Sequence, residues 1–104
     1  MRTVLIIGAG KSTAFLVKYL LDKSIDEKLY IRLADKNKLA TLKLINNHKN
    51  GIGIEFDINS KKQRIDEIKK ADIVISMLPA RFHFEVAKDC LRLKKNLITA
   101  SYVS

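Results

Sequence analysis

The sequence has a single cysteine, Cys90, so no disulfide can form within its 104 residues, and a reducing compartment suits it. No apolar run approaches the roughly 18–20 residues that a membrane-spanning helix needs. The apolar run nearest the start, Val4 to Ile7, is too short for the core of a secretory signal. It leads into Gly8 rather than a small-residue cleavage site. A cytoplasmic protein without a membrane partner is therefore expected. Cysteine and histidine form no cluster that could hold a metal, so no metal site is expected. Repeats, low-complexity segments and internal linkers are also missing. What remains is an ordinary globular mix, 47% hydrophobic and 30% charged. The length is that of one domain, so residues 1–104 are expected to share one core.

The net charge is +9, from 20 Lys and Arg against 11 Asp and Glu. Such a balance suits an anionic partner. The lysines, however, are scattered, and no aromatic residues are interleaved with a basic cluster. A nucleic-acid surface is not expected; a small anionic ligand is.

Strand and helix patterns alternate along the whole chain. Thr3 to Ile7 reads as a buried parallel strand, stopped by Gly8. Ser12 can cap a following helix, with Phe15, Leu16, Tyr19 and Leu20 expected on its buried face. Leu29 to Ala34 is a second strand, ending in Asp35. Asn37 to His48 reads as a helix with Leu39, Leu42 and Ile45 inward, and Asn50-Gly51 breaks it. Ile52 to Phe56 is a third strand. Lys61 to Lys70 is a charged helix with Ile65 and Ile68 inward. Ile73 to Leu78 is a fourth strand, stopped by Pro79. Phe82 to Leu93 is a helix with Val86, Cys90 and Leu93 on one side, and Asn96 to Thr99 is a fifth strand. Strands that are apolar throughout are covered on both faces. Right-handed crossovers then predict an α/β fold of the Rossmann type: a doubly wound parallel sheet in the order 3-2-1-4-5. The chain reaches Ser104 directly after the fifth strand, so a piece of a longer enzyme is expected, with the substrate domain elsewhere.

Two phosphate-binding signatures overlap after the first strand. Gly10-Lys11-Ser12 matches the tail of a Walker A loop, but the position where its first glycine belongs is Leu5, inside the strand. The fourth strand also ends Met77-Leu78-Pro79, without a magnesium-binding aspartate. Gly8-Ala9-Gly10 instead opens a dinucleotide fingerprint. Gly8 allows the tight turn, and Gly10 lets backbone approach a pyrophosphate at a helix N-terminus, where free N–H groups and the dipole favour anions. The third glycine position holds Thr13, which implies a wider helix–strand contact or a hydroxyl offered to phosphate. Lys11 and Ser12 lie in the same first turn.

Asp35 ends the second strand, 27 residues after Gly8. A carboxylate there can accept both ribose hydroxyls of NAD and repels a 2′-phosphate; the alternative is a cap for the next helix. NAD is the expected cofactor, and Lys36 and Lys38 keep NADP open. Asp57 and Ile58 follow the third strand, where adenine lies in such folds, although Asp57 also suits a turn. His83, in the first turn of a helix, reads as structural rather than as an acid or base.

The second half is more specific. Asp72-Ile-Val-Ile-Ser-Met-Leu-Pro79, then Phe82-His-Phe-Glu-Val-Ala-Lys-Asp-Cys90, then Thr99-Ala-Ser-Tyr-Val-Ser104 resembles the nucleotide-binding domain of the saccharopine dehydrogenase family, in its glutamate-forming branch. The resemblance implies an NAD(P)-dependent oxidoreductase. Hydride passes from saccharopine, a secondary amine, to the nicotinamide, and hydrolysis yields glutamate and 2-aminoadipate semialdehyde. It assigns Gly8 and Gly10 to the pyrophosphate loop and Asp35 to the ribose. It assigns Met77, Leu78 and Pro79 to the nicotinamide side, and Ala100, Ser101 and Tyr102 to the loop facing cofactor and substrate. Partners are then a dinucleotide and an amino-acid-derived substrate, with a homodimer allowed in the longer protein. Two alternatives stay open: a stand-alone nucleotide-sensing module, and an oxidoreductase for another secondary amine such as a carboxylated polyamine precursor.

Overall fold

Val4, Leu5, Ile6 and Ile7 are four consecutive buried residues in the first strand. Their side chains alternate between two separate cores. Val4 and Ile6 join one, Leu5 and Ile7 the other. A strand covered on both faces must lie inside a sheet with helices above and below. The computed structural model, which describes residues 1–99, has that arrangement. Its elements are β1 (Arg2–Ile7), α1 (Lys11–Glu27), β2 (Leu29–Asp35), α2 (Lys38–Ile45), β3 (Gly51–Glu55), α3 (Lys61–Lys70), β4 (Ile73–Ser76), α4 (Ala80–Leu93) and β5 (Asn96–Thr99). The strands run parallel in the order β3-β2-β1-β4-β5, as the alternating pattern predicts. No helix among the described residues is long and apolar enough to cross a membrane.

Val17 and Leu21 of α1 and Ile45 of α2 pack on one face of the sheet. Ile68 of α3 and Val86 and Cys90 of α4 pack on the other. Each large aliphatic side chain taken fully from water contributes about 1.5–3 kcal/mol, so these two layers dominate the hydrophobic stabilisation. Burial, and secondarily the neighbouring Asp89, push the Cys90 thiol up to about 11, so it stays protonated as a small core residue.

Two helices turn differently from the sequence expectation. In α1 the buried residues are Thr13, Val17, Leu21 and Ser24, while Phe15 and Tyr19 are exposed. In α2 the buried residues are Thr41 and Ile45, while Leu39 and Leu42 are exposed. Local hydrogen bonding lets Ser24 and Thr41 be buried. The Ser24 hydroxyl donates to the Leu21 carbonyl at 2.6 Å and accepts from the Asn50 side-chain amide at 3.2 Å. The Thr41 hydroxyl donates to the Lys38 carbonyl at 2.6 Å. A hydroxyl satisfied within its own helix can be buried at little cost. Thr41 also lies so close to Gly53 of β3 that a Cβ there would strike it. The small residue on the strand lets α2 sit low on the sheet.

A buried ion pair joins α3 and α4. Arg64 Nε donates to Asp89 Oδ2 at 2.6 Å, and its Nη1 donates to the Ile58 carbonyl at 2.7 Å. Both side chains are nearly inaccessible. The charged sequence of α3 hides this role for Arg64. The readable signal was Asp89, lying among Val86, Cys90 and Leu93 on an otherwise apolar helical face.

Candidate functional site

The parallel sheet aligns the ends of β1, β2, β3 and β4 along one edge. Ligands of open α/β sheets bind at that carboxyl edge, where the strand order reverses. Here the reversal falls between β1 and β4. Gly8 follows β1, buried and at φ +109°, a backbone conformation that side chains disfavour. A Cβ there would lie 3.2 Å from the Met77 carbonyl carbon. Glycine is therefore needed twice over, for the turn and for the close passage beneath the loop after β4.

Gly10 differs. It precedes α1 at φ −78° and ψ −175°, which any residue can adopt. What glycine supplies there is clearance. The N-terminus of α1 has no side-chain cap and no acidic residue in its first turn. Its first N–H groups thus point outward beside an exposed glycine, with exposed Lys11 and Ser12 alongside. Thr13 does not join them. It is fully buried, and its hydroxyl has no partner among the described residues.

Asp35 ties this loop to the next strand. Its Oδ1 accepts the Ala9 N–H at 3.0 Å, and its Oδ2 accepts the Asn37 N–H at 2.9 Å. The Gly8 N–H donates to the Ala34 carbonyl at 2.8 Å. The carboxylate thus braces the glycine loop against the start of α2; the sequence offered a role at that helix start, but not the bond to Ala9.

Asp35 and Lys36 also line a cleft of about 350 Å³ at this edge. Asp57 and Ile58 form a second wall, and Leu78 and Pro79 a third. Six of the residues singled out from sequence therefore share one cavity. Phe56, Asn59, Arg81 and Phe82 line it too and were missed. Asp57 is held in a turn: its Oδ1 accepts the Asn59 N–H at 2.9 Å, and its own N–H donates to Gln63 Oε1 at 2.8 Å. Behind the cleft, Arg64 holds the Ile58 carbonyl from inside the core. Met77 lies outside the cleft, over Gly8, and its N–H donates to the Ile7 carbonyl at 2.8 Å. His83 Nε2 is 2.7 Å from the Leu78 carbonyl oxygen. A carbonyl only accepts, so Nε2 carries a proton and fixes the loop after β4, as a structural histidine should. Ala100, Ser101 and Tyr102 lie outside the described residues.

The comparisons with known proteins agree with this geometry. The family model described as the saccharopine dehydrogenase NADP binding domain matches residues 4–104. The chain belongs to this family. A saccharopine dehydrogenase (NADP(+), L-glutamate-forming) of Pyricularia oryzae is 32% identical over 103 residues, covering 99% of the chain and 22% of that protein. A mitochondrial alpha-aminoadipic semialdehyde synthase of Bos taurus is 31% identical, over 99% of the chain and 11% of that protein. The apo saccharopine dehydrogenase (L-Glu forming) of Saccharomyces cerevisiae superposes with a TM-score of 0.80 at 23% identity. The match covers all of the chain and 22% of that structure. The chain thus spans about a fifth or less of the length of these relatives. Membership of the family brings a nicotinamide dinucleotide as the cofactor class.

Proposed function

We propose that this chain is the NADP(H)-holding part of an oxidoreductase that acts on a secondary amine, saccharopine, yielding glutamate and 2-aminoadipate semialdehyde. The observation that carries the reading is the Gly8 turn beside the uncapped start of α1, at the edge where the cleft opens. That arrangement fits a dinucleotide. The pyrophosphate takes the N–H groups that α1 leaves free, with Lys11 beside it. The adenosine end enters the cleft between Ile58 and Leu78. When bound, the dinucleotide supplies the hydride acceptor. The chain's own residues bind and orient it. Residues that choose the amine lie outside residues 1–104 in this reading, in a longer protein of the relatives' kind.

The sequence alone favours NAD, through repulsion between Asp35 and a 2′-phosphate. The family description and the Pyricularia relative's name both specify NADP, which favours the other choice. The placement of Asp35 supplies a physical reason. Both of its oxygens already accept backbone N–H groups, so the charge is stabilised by two amide dipoles and turned towards the glycine loop. Lys36 and Lys38, both exposed, flank Asn37 at the start of α2. The test is parallel titration with NADPH and NADH, followed by assay of saccharopine-dependent NADP+ reduction in the protein as its gene encodes it. NADPH is expected to bind more tightly. The 104-residue chain alone is expected to bind without turnover. Binding of neither dinucleotide would overturn the reading.

A further inference from the structure

We infer that Arg81, which lies outside the glycine-loop fingerprint and lines the same cleft as Lys36, determines cofactor specificity by helping to hold the phosphate on the adenosine 2′-oxygen. This rests on the dinucleotide reading of the cleft. Lys36 reaches the cleft from the end of β2, and Arg81 reaches it from the first turn of α4. The two cations therefore come from elements on opposite sides of the strand-order reversal.

The cleft holds these two cations and no carboxylate paired with either. Arg32, Lys62, Arg64, Lys70 and Lys88 each pair with a carboxylate. Among the described residues, Lys36 and Arg81 pair with none, as is true of most basic side chains of the chain; what sets these two apart is that they line one cleft. The acids that line the cleft do not neutralise them directly. Asp35 spends its oxygens on Ala9 and Asn37, and Asp57 accepts from Asn59. Arg81 is also the better-placed cation. Its guanidinium carbon sits 4.8 Å from the centre of the Phe82 ring, and Phe82 itself lines the cleft. A guanidinium resting on an aromatic face loses little further freedom when an anion arrives. Its fork of donors matches two phosphate oxygens, where a lysine offers a point charge.

The experiment is calorimetric titration of the protein with NADPH, NADH, 2′,5′-ADP and 5′-AMP. The variants are Arg81→Ala and Arg81→Lys, with Arg92→Ala as a control, an exposed arginine in the last turn of the same helix. Arg81→Ala is expected to weaken NADPH and 2′,5′-ADP by about tenfold and to leave NADH and 5′-AMP within about twofold. Arg81→Lys should recover part of the loss, because it restores charge without the fork. The discrimination should shrink at high salt. Arg92→Ala should change nothing. Equal losses for phosphorylated and unphosphorylated ligands would overturn the assignment and leave Arg81 a packing residue. Undiminished NADPH binding by Arg81→Ala would also overturn it. Failure of the wild type to bind either dinucleotide would overturn the cleft reading itself, and the assignment with it.

Discussion

Helices α1 and α2 both begin beside Asp35, and they begin differently. At α2, Asn37 caps the helix: its Oδ1 accepts the Ala40 N–H at 3.1 Å. At α1 the capping position is Gly10, which has no side chain to accept anything. The same contrast recurs on the other face. Ser60 caps α3 by accepting the Gln63 N–H at 3.2 Å, while α4 starts at Pro79 without a side-chain cap. The capped helices, α2 and α3, are complete in themselves. The uncapped ones start after β1 and β4, the two strands that flank the strand-order reversal. A helix start left without a cap forgoes about 1 kcal/mol of local stabilisation. At this edge, a bound anion can supply that stabilisation instead.

Gly8→Val should disturb the start of α1 most. The substitution forces a branched side chain to φ +109° and against the Met77 backbone. Strain and overpacking together should cost at least about 3 kcal/mol, with dinucleotide binding lost. Urea denaturation measures the first effect. A variant within about 1 kcal/mol of wild type would show that the loop can rearrange at little cost.

Gly10→Val separates binding from folding. The backbone at Gly10 accommodates valine, so stability should stay within about 1 kcal/mol of wild type. The side chain would stand where pyrophosphate meets the α1 amides, so NADPH affinity should fall at least about tenfold. Unchanged affinity would reduce Gly8-Ala9-Gly10 to a turn. The reciprocal change is Asn37→Ala. It removes the α2 cap and should cost about 1 kcal/mol of stability while leaving NADPH affinity within about twofold. The pair forms a double dissociation, read by denaturation and calorimetry on the same samples.

The strand order and every strand and helix were legible in the sequence, because nearly continuous apolar runs such as Val4–Ile7 and Ile73–Met77 admit few topologies. Helix faces were less legible. Thr13, Ser24 and Thr41 occupy buried positions that a hydrophobicity pattern assigns to Phe15, Tyr19, Leu39 and Leu42. Ser24 and Thr41, whose hydroxyls are satisfied by their own helix backbone, are invisible to such a pattern. The site was legible wherever a residue type is dictated by backbone geometry, as at Gly8. It was not legible where one residue serves two elements. Asp35 stood out for its place at the end of β2, but its bond to the Ala9 N–H depends on how two distant loops meet. Arg81 carried no signal at all until the fold brought it and Lys36 to one cleft.

Gly10→Ser would give α1 the kind of cap that α2 already has. The Gly10 backbone is already in the extended region that capping residues adopt, so the serine hydroxyl could accept a first-turn N–H without strain. Serine improves on glycine at this position by only a few tenths of a kcal/mol, so the ligand-free protein should become more stable by about 0.3 kcal/mol. With NADPH present the order should reverse. Ligand at 100 times its dissociation constant stabilises the wild type by about 2.7 kcal/mol. The serine variant should gain less, because its hydroxyl occupies both the amide and the space that the pyrophosphate needs. Denaturation curves for the two proteins, with and without NADPH, should therefore cross: serine ahead without ligand, glycine ahead with it. If serine stabilises both forms equally, the start of α1 is an ordinary helix terminus, and its missing cap has nothing to do with a ligand.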